Sequence, residues 1–302
     1  MGKVRHIASL LFCLFWFVGI AQSPEVLKTS LTYKDTLQLD FYHTELSDKQ
    51  PKLLLVLMHG GGFASGKKDG INESEFCKNM AARGYSVASI SYRLTRKNDP
   101  FNCDCETSKK VGSFVSASED LSDAIHFLKN EKKLVFDRNN IVLAGSSAGA
   151  EAVLHTAFMS DDYRFSHIRP IQISGVISFS GAIVNASYIT KNNAAPSLFV
   201  HGEKDELVPF ATAPHHYCSA DKQGYLMLDG PQTIIENLKK QGGSYILAFD
   251  PEGNHDWANK GYSQTDLVAR FLEELVENKK FVQTSILLKE NSLDTESDIE
   301  TP

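Results

Sequence analysis

Positive charge is not in excess in this 302-residue chain: 31 lysines and arginines stand against 37 aspartates and glutamates, a net charge of −6. A phosphate backbone is held by clustered positive charge, so no nucleic acid is expected as a partner. Cysteine is scarce, with five residues, and no Gly-X-Y repeat runs through the 20 glycines. A cysteine-stapled miniature fold and a collagen-like rod are both excluded. Disorder is not the dominant state either, because 42% of the residues are hydrophobic, enough for a chain of this length to bury a sizeable core. Long apolar runs are missing except for one, Ile7 to Ala21. It is shorter than the ~20 residues that usually span a bilayer.

That one run follows Lys3 and Arg5, ends in the small residues Gly19 and Ala21, and gives way at Gln22 to polar sequence. A basic start, an apolar centre and a small-residue end describe a secretory signal peptide over residues 1–21. The protein is therefore expected to be secreted or periplasmic, with no stable membrane anchor. Cleavage there removes two basic residues and no acid, which takes the net charge from −6 to −8. Four cysteines remain, Cys77, Cys103, Cys105 and Cys218. They allow three full pairings, and spacing does not choose among them. Cys103 and Cys105 have no second Cys or His pair at zinc spacing beside them, so a local or loop-bracing disulfide, or free thiols, are expected rather than a metal site.

From residue 26 onward strand-like and helix-like stretches alternate. Leu37–His43 alternates polar and apolar, as a half-buried edge strand does, and Leu53–Met58 is a continuous apolar run suited to a strand covered on both faces. Tyr85–Ser91, Ile141–Ala144, Ile173–Phe179, Leu198–Val200 and Tyr245–Phe249 read as further strands. Ser74–Arg83, Ser116–Lys129, Ala148–Met159, Gln232–Lys240 and Thr265–Val276 read as helices between and after them. Such alternation predicts an α/β fold, a mostly parallel central sheet with helices on both faces. Leu94–Gly112 and Ala211–Gly230 are irregular and are expected at the carboxyl edge of the sheet, where ligands of open α/β sheets bind. One domain is expected over residues 22–280, followed by a polar acidic tail over 281–302 whose last fourteen residues carry five acids and one lysine.

Two motifs carry chemistry. Gly145-Ser146-Ser147-Ala148-Gly149 matches G-x-S-x-G and sits between a predicted strand and a predicted helix. In that context the serine at the centre, Ser147, is thrust out on a sharp turn, with the start of a helix and its amides behind it. His59-Gly60-Gly61-Gly62-Phe63 directly follows the buried strand Leu53–Met58. Consecutive glycines let backbone N–H groups turn inward, and two of these donors with the N–H of Ala148 would hold the oxyanion of a tetrahedral intermediate. His59 reads as support for that loop. No Gly-Lys-Ser/Thr follows, so the glycines are not a phosphate loop.

With these motifs the chain resembles the α/β-hydrolase superfamily over residues ~26 to ~280. It looks closest to secreted carboxylesterases of the acetyl-xylan or feruloyl esterase-like branches, near the hormone-sensitive-lipase-like esterases. The resemblance implies the order glycine loop, nucleophile, acid, histidine. His201-Gly202-Glu203-Lys204-Asp205 followed by Val208-Pro209 then matches the family's acid at Asp205, ahead of Glu203, Glu206 and Asp229. The histidine after the last long strand is His255, in Gly253-Asn254-His255-Asp256-Trp257, ahead of His201, His215 and His216. The implied catalytic set is Ser147, Asp205 and His255, with Gly61, Gly62 and Ala148 as the oxyanion hole and no cofactor or metal. The implied partner is a short-acyl ester of a small molecule or a carbohydrate. The lipase-like esterases carry Asp before the nucleophile and Asp-Tyr-Arg-Leu upstream. Here those positions read Ser146 and Ser91-Tyr92-Arg93-Leu94, so specificity does not transfer with the triad. A peptidase of the oligopeptidase type would need an extra β-domain for which no length remains, and a binding protein on this scaffold would typically lack a triad member.

Overall fold

The computed structural model describes residues 24–288. The expected signal segment 1–21 and the end of the acidic tail lie outside the described residues. Eleven strands are found among them: β1 (Leu27–Lys34), β2 (Leu37–His43), β3 (Leu53–Met58), β4 (Ser86–Ile90), β5 (Asp137–Ser146), β6 (Gly175–Phe179), β7 (Ser197–Gly202), β8 (Thr212–Pro214), β9 (Met227–Asp229), β10 (Tyr245–Asp250) and β11 (Gln283–Leu287). Nine of them form one sheet in the order β1-β2-β4-β3-β5-β6-β7-β10-β11. β1, β2 and β4 pair antiparallel. From β4 to β11 every pair is parallel.

Helices cover both faces: α1 (Glu45–Lys49), α2 (Ile71–Ala82), α3 (Thr107–Asn130), α4 (Ala148–Phe158), α5 (Pro231–Gln241), α6 (Trp257–Lys260) and α7 (Thr265–Phe271), which runs into a π turn at Leu272–Glu277. The alternation of β3 divides the core. Leu54, Val56 and Met58 face one cluster with Phe114, Leu121, Val153 and Leu238 of α3, α4 and α5. Leu53, Leu55 and Leu57 face another with Phe76, Met80, Trp257 and Phe271 of α2, α6 and α7. Both faces of β3 are dry, which is why its six residues are all apolar.

Several expectations need correction. β2 is not an edge strand, because β1 lies outside it, and β1 is so exposed that its sequence shows no buried stripe. α3 starts at Thr107, so the irregular stretch expected to reach Gly112 ends earlier. Ala211–Gly230 holds the antiparallel pair β8–β9. A tail boundary at 281 is also wrong: Gln283–Leu287 extends the sheet as β11, in parallel register with Tyr245–Phe249. Its alternating half-exposed residues carry little hydrophobic signal, and it is held through backbone pairing.

Candidate active site

In the parallel part of the sheet Met58 pairs with Gly145, Ser146 with Phe179, Phe179 with Val200, and Asp250 with Gly202. The carboxyl ends of β3, β5, β7 and β10 are therefore level, and the loops that leave them meet above one edge. Those loops carry the glycine run, Ser147, Asp205 and His255.

Ser147 links β5 to α4 with φ 49° and ψ −122°, a conformation that costs a non-glycine residue on the order of 1–3 kcal/mol. Its neighbours make the turn possible. A Cβ at Gly145 would stand 2.3 Å from the Gly149 carbonyl oxygen, and one at Gly149 would stand 2.3 Å from the Met58 carbonyl oxygen. The Ser147 N–H donates to the Phe179 carbonyl at 2.8 Å, which locks the elbow to β6. Ser146 is turned away and buried, its hydroxyl donating to the Ala258 carbonyl at 2.7 Å.

Ser147 Oγ lies 2.9 Å from His255 Nε2, and His255 Nδ1 lies 2.7 Å from Asp205 Oδ2. An ionised carboxylate only accepts, so Nδ1 carries the proton and Nε2 is left to accept from the serine hydroxyl. Asp205 is buried, and its Oδ1 accepts from the N–H groups of Leu207 and Val208, both at 2.9 Å. Burial works against its charge. Hydrogen bonds from His201 and His255 outweigh burial and hold the carboxyl well below the usual carboxylate range. His201 Nε2 donates to the Val208 carbonyl at 3.0 Å and stands 3.3 Å from Asp205 Oδ2, so it supports the acid. Asp229 instead accepts from the Ala186 N–H and the Thr212 hydroxyl, while Glu203 and Glu206 are exposed.

The glycine loop runs beside the elbow: a Cβ at Gly60 would lie 3.3 Å from Ser147 Cβ. Gly61 and Gly62 take φ 111° and 61°, which turns the loop tightly enough for Ala64 and Ser65 N–H to donate back to the Gly61 carbonyl. The Gly61 and Gly62 N–H groups donate to no backbone acceptor among the described residues. Ala148 is the first residue of α4, where an N–H has no intrahelical acceptor. His59 stacks on Tyr92 at 4.4 Å and hydrogen-bonds the Gly60 carbonyl through Nδ1 at 2.7 Å. Burial lowers its pKa and keeps it neutral, in keeping with a supporting role.

Cys103 and Cys218 form a disulfide 115 residues apart in sequence that joins the loop after β4 to the segment after β8. Cys77 and Cys105 are free and buried. The bridge brings Phe101 to 5.2 Å from His215 and 5.0 Å from Phe63, ring to ring, beside the glycine loop. The sequence did not single out Glu151, Lys110 or Phe101, which the tertiary structure gathers near the elbow. Among the described residues no group of three or more His, Cys, Asp or Glu side chains is arranged to hold a metal ion. A cavity of about 420 Å³ adjoins the His255 loop, lined by Asp250, Glu252, Asn254, Asp256 and Leu287. Another of about 370 Å³ lies at the far end of α4.

Solved structures share this architecture. Esterase B from Lactobacillus rhamnosis superposes with a TM-score of 0.57 over 85% of this chain and 89% of that one, at 14% identity. The fold is that of an α/β-hydrolase. Esterase 2 from Thermogutta terrifontis phosphorylated by paraoxon superposes on this chain with a TM-score of 0.59 over 84% of this chain and 95% of that one, at 19% identity. Its butyrate-bound form gives a TM-score of 0.58 over 84% and 94%, at 20% identity. Residues 39–184 match the BD-FAE family model, a stretch that holds the glycine loop and Ser147 and ends before Asp205 and His255. Gut esterase 1 of Caenorhabditis elegans is 30% identical over 154 residues, 51% of this chain and 26% of that protein. The chain thus spans about a quarter of the length of that curated relative.

Proposed function

We propose that the protein is a secreted serine esterase that hydrolyses carboxylic esters of short acyl groups, on a small molecule or a carbohydrate, through an acyl-enzyme. The observation that carries this reading is the continuous relay from Ser147 through His255 to Asp205, at 2.9 and 2.7 Å, beside the Gly61 and Gly62 amides, which donate to no backbone acceptor among the described residues. His255 Nε2 accepts the hydroxyl proton as Ser147 Oγ attacks the ester carbonyl. Asp205 holds the ring and stabilises the imidazolium. The Gly61, Gly62 and Ala148 N–H groups receive the oxyanion, each donor contributing on the order of 3 kcal/mol in sites of this kind. The imidazolium then protonates the leaving alkoxide, and water, deprotonated by His255, releases the acid and restores Ser147. The match to an esterase family model and to a curated esterase supports ester over amide as the substrate. The apolar run Ile7–Ala21 and the Cys103–Cys218 disulfide support an oxidising compartment outside the cytoplasm.

The test is hydrolysis of nitrophenyl acetate, butyrate and octanoate by the wild type and Ser147→Ala, with fluorophosphonate labelling of both. Acetate and butyrate turnover that disappears in Ser147→Ala together with the label, while Ser146→Ala keeps the label, supports the reading. Wild-type protein that is folded yet neither turns over nor labels would refute it.

A further inference from the structure

Glu151 lies in the first turn of α4, four residues after Ser147, and its N–H donates to the Ser147 carbonyl at 2.9 Å. Its side chain is 1% exposed and its Oε1 stands 3.2 Å from His215 Nε2, itself 1% exposed. Neither Glu151 Oε1 nor His215 Nδ1 has a hydrogen-bond partner among the described residues. Two buried ionisable side chains meeting one turn below a nucleophile are costly to keep unless they act on it.

The chain beyond His215 leads to the acid. The His216 N–H donates to the Leu207 carbonyl at 2.8 Å, and the Leu207 N–H donates to Asp205 Oδ1 at 2.9 Å. His216 and Tyr217 both take positive φ, 57° and 48°, immediately before the disulfide at Cys218. Contacts on both sides hold this strained segment, Glu151 from below and Cys103 from the side. Glu151 therefore connects the helix that bears Ser147 to the loop that bears Asp205.

We propose that Glu151, through its buried contact with His215, positions the 215–217 segment and through it Asp205, and that ionisation of Glu151 lowers turnover. This rests on the esterase reading of Ser147, His255 and Asp205. Ionisation would leave a buried anion one helical turn from Ser147, where the reaction itself builds negative charge, and would replace a neutral contact by an unsolvated carboxylate. The titratable groups that act on Glu151 are His215, Lys110 of α3, Tyr92 after β4, and Asp205 and His255 from the carboxyl-edge loops. Burial dominates and, with the charge of Asp205, outweighs the opposing pull of His255 and Lys110, so the carboxyl is pushed up to about 8. Burial likewise drives His215 well below the usual imidazole range, and Lys110 and His255 add to that. Both partners favour their neutral forms, so the contact is not an ion pair.

The experiment has two readouts on the full chain. The first is the pH–rate profile of nitrophenyl butyrate hydrolysis from pH 6 to 9.5 for wild type, Glu151→Gln and Glu151→Ala. Wild-type kcat is expected to fall about tenfold across a limb centred near pH 8, with KM little changed. Glu151→Gln, which keeps a neutral donor to His215, is expected to retain kcat at pH 7 within about threefold and to lose the limb. Glu151→Ala is expected to lose kcat at every pH. An alkaline limb identical in wild type and Glu151→Gln overturns the proposal, as does equal loss in the Gln and Ala variants. The second readout is the infrared carbonyl band of a protonated carboxylic acid, followed against pH in Ser147→Ala and in Ser147→Ala/Glu151→Gln. A band present at pH 6.5, lost near pH 8 and absent from the double variant is expected, and its absence from Ser147→Ala overturns the proposal. That band does not depend on turnover, so a failure of the esterase reading, seen as unchanged turnover in Ser147→Ala, is told apart from a failure of this one.

Discussion

Replacing both bridging cysteines, Cys103→Ser with Cys218→Ser, removes a cross-link that closes 115 residues of sequence. In the chain-entropy account a loop of that length restricts the unfolded state by about 5 kcal/mol at 25 °C. Native contacts between the two loops survive the change. The Thr107 hydroxyl bonds the Gln223 and Tyr225 carbonyls at 3.0 and 3.1 Å, Lys110 Nζ bonds the Gly224 carbonyl at 2.8 Å, and the Gly224 N–H bonds the Cys103 carbonyl at 3.0 Å. The folded loops therefore stay docked, and the loss falls mainly on the unfolded side of the equilibrium. Residual structure in the unfolded chain trims it to about 3–5 kcal/mol. Urea unfolding followed by tryptophan fluorescence measures it, with wild type in dithiothreitol as a second route to the same state. The double variant must not respond to the reductant. A loss below about 1 kcal/mol would refute the reasoning, since it would mean that the bridge does not restrain the unfolded chain. Single variants are less informative, because the freed partner lies close to the thiol Cys105.

Three further outcomes follow from the geometry. Asp205→Asn leaves the carboxamide unable to hold the His255 proton at Nδ1, and kcat for nitrophenyl butyrate should fall by about 10³–10⁴ with KM within a few-fold, whereas a loss under tenfold would remove Asp205 from the relay. Gly149→Ala drives a Cβ to 2.3 Å from the Met58 carbonyl oxygen in the central strand, where neither backbone can yield, and should destabilise by about 3 kcal/mol or more; a melting temperature within 2 °C of wild type contradicts this. Glu151→Gln should stabilise the protein at pH 7, because the folded carboxyl keeps a proton up to about 8 while the unfolded one, at 4.5, has lost it. That difference costs the wild type about 3 kcal/mol at pH 7. The wild type should lose this stability as pH rises from 4.5 to 8, so the variant's advantage should grow over that window in urea titrations, and a shrinking advantage would show the opposite linkage.

Much of the fold was legible along the chain because its signals are local. Leu53–Met58 lies between two helical layers and is apolar throughout, and strand and helix periods alternate from there to Val276. The elbow was legible because its pattern lies within five residues and a Cβ at Gly145 would meet the Gly149 carbonyl four residues on, whereas the need for glycine at 149 comes from the Met58 carbonyl of the distant strand β3. β1 and β11 were not legible, since each is held by ladder hydrogen bonds available to any residue and neither buries a full face. Glu151 was hidden for a related reason. A glutamate in the first turn of a helix reads as a solvated favourable charge, and only the packing of α3, the loop after β4 and the 215–217 segment around it removes the water.

By itself the sequence determined the parallel α/β layering, the strained turn at Ser147 and the glycine loop beside it, because each depends on residues within a few positions of one another. The tertiary structure alone decided which acid faces His255, that Cys103 pairs with Cys218 and not with its neighbour Cys105, and that Glu151 meets His215. Those choices join loops from 50 to 115 residues apart, and the register of β3, β5, β7 and β10 sets the distances between such loops.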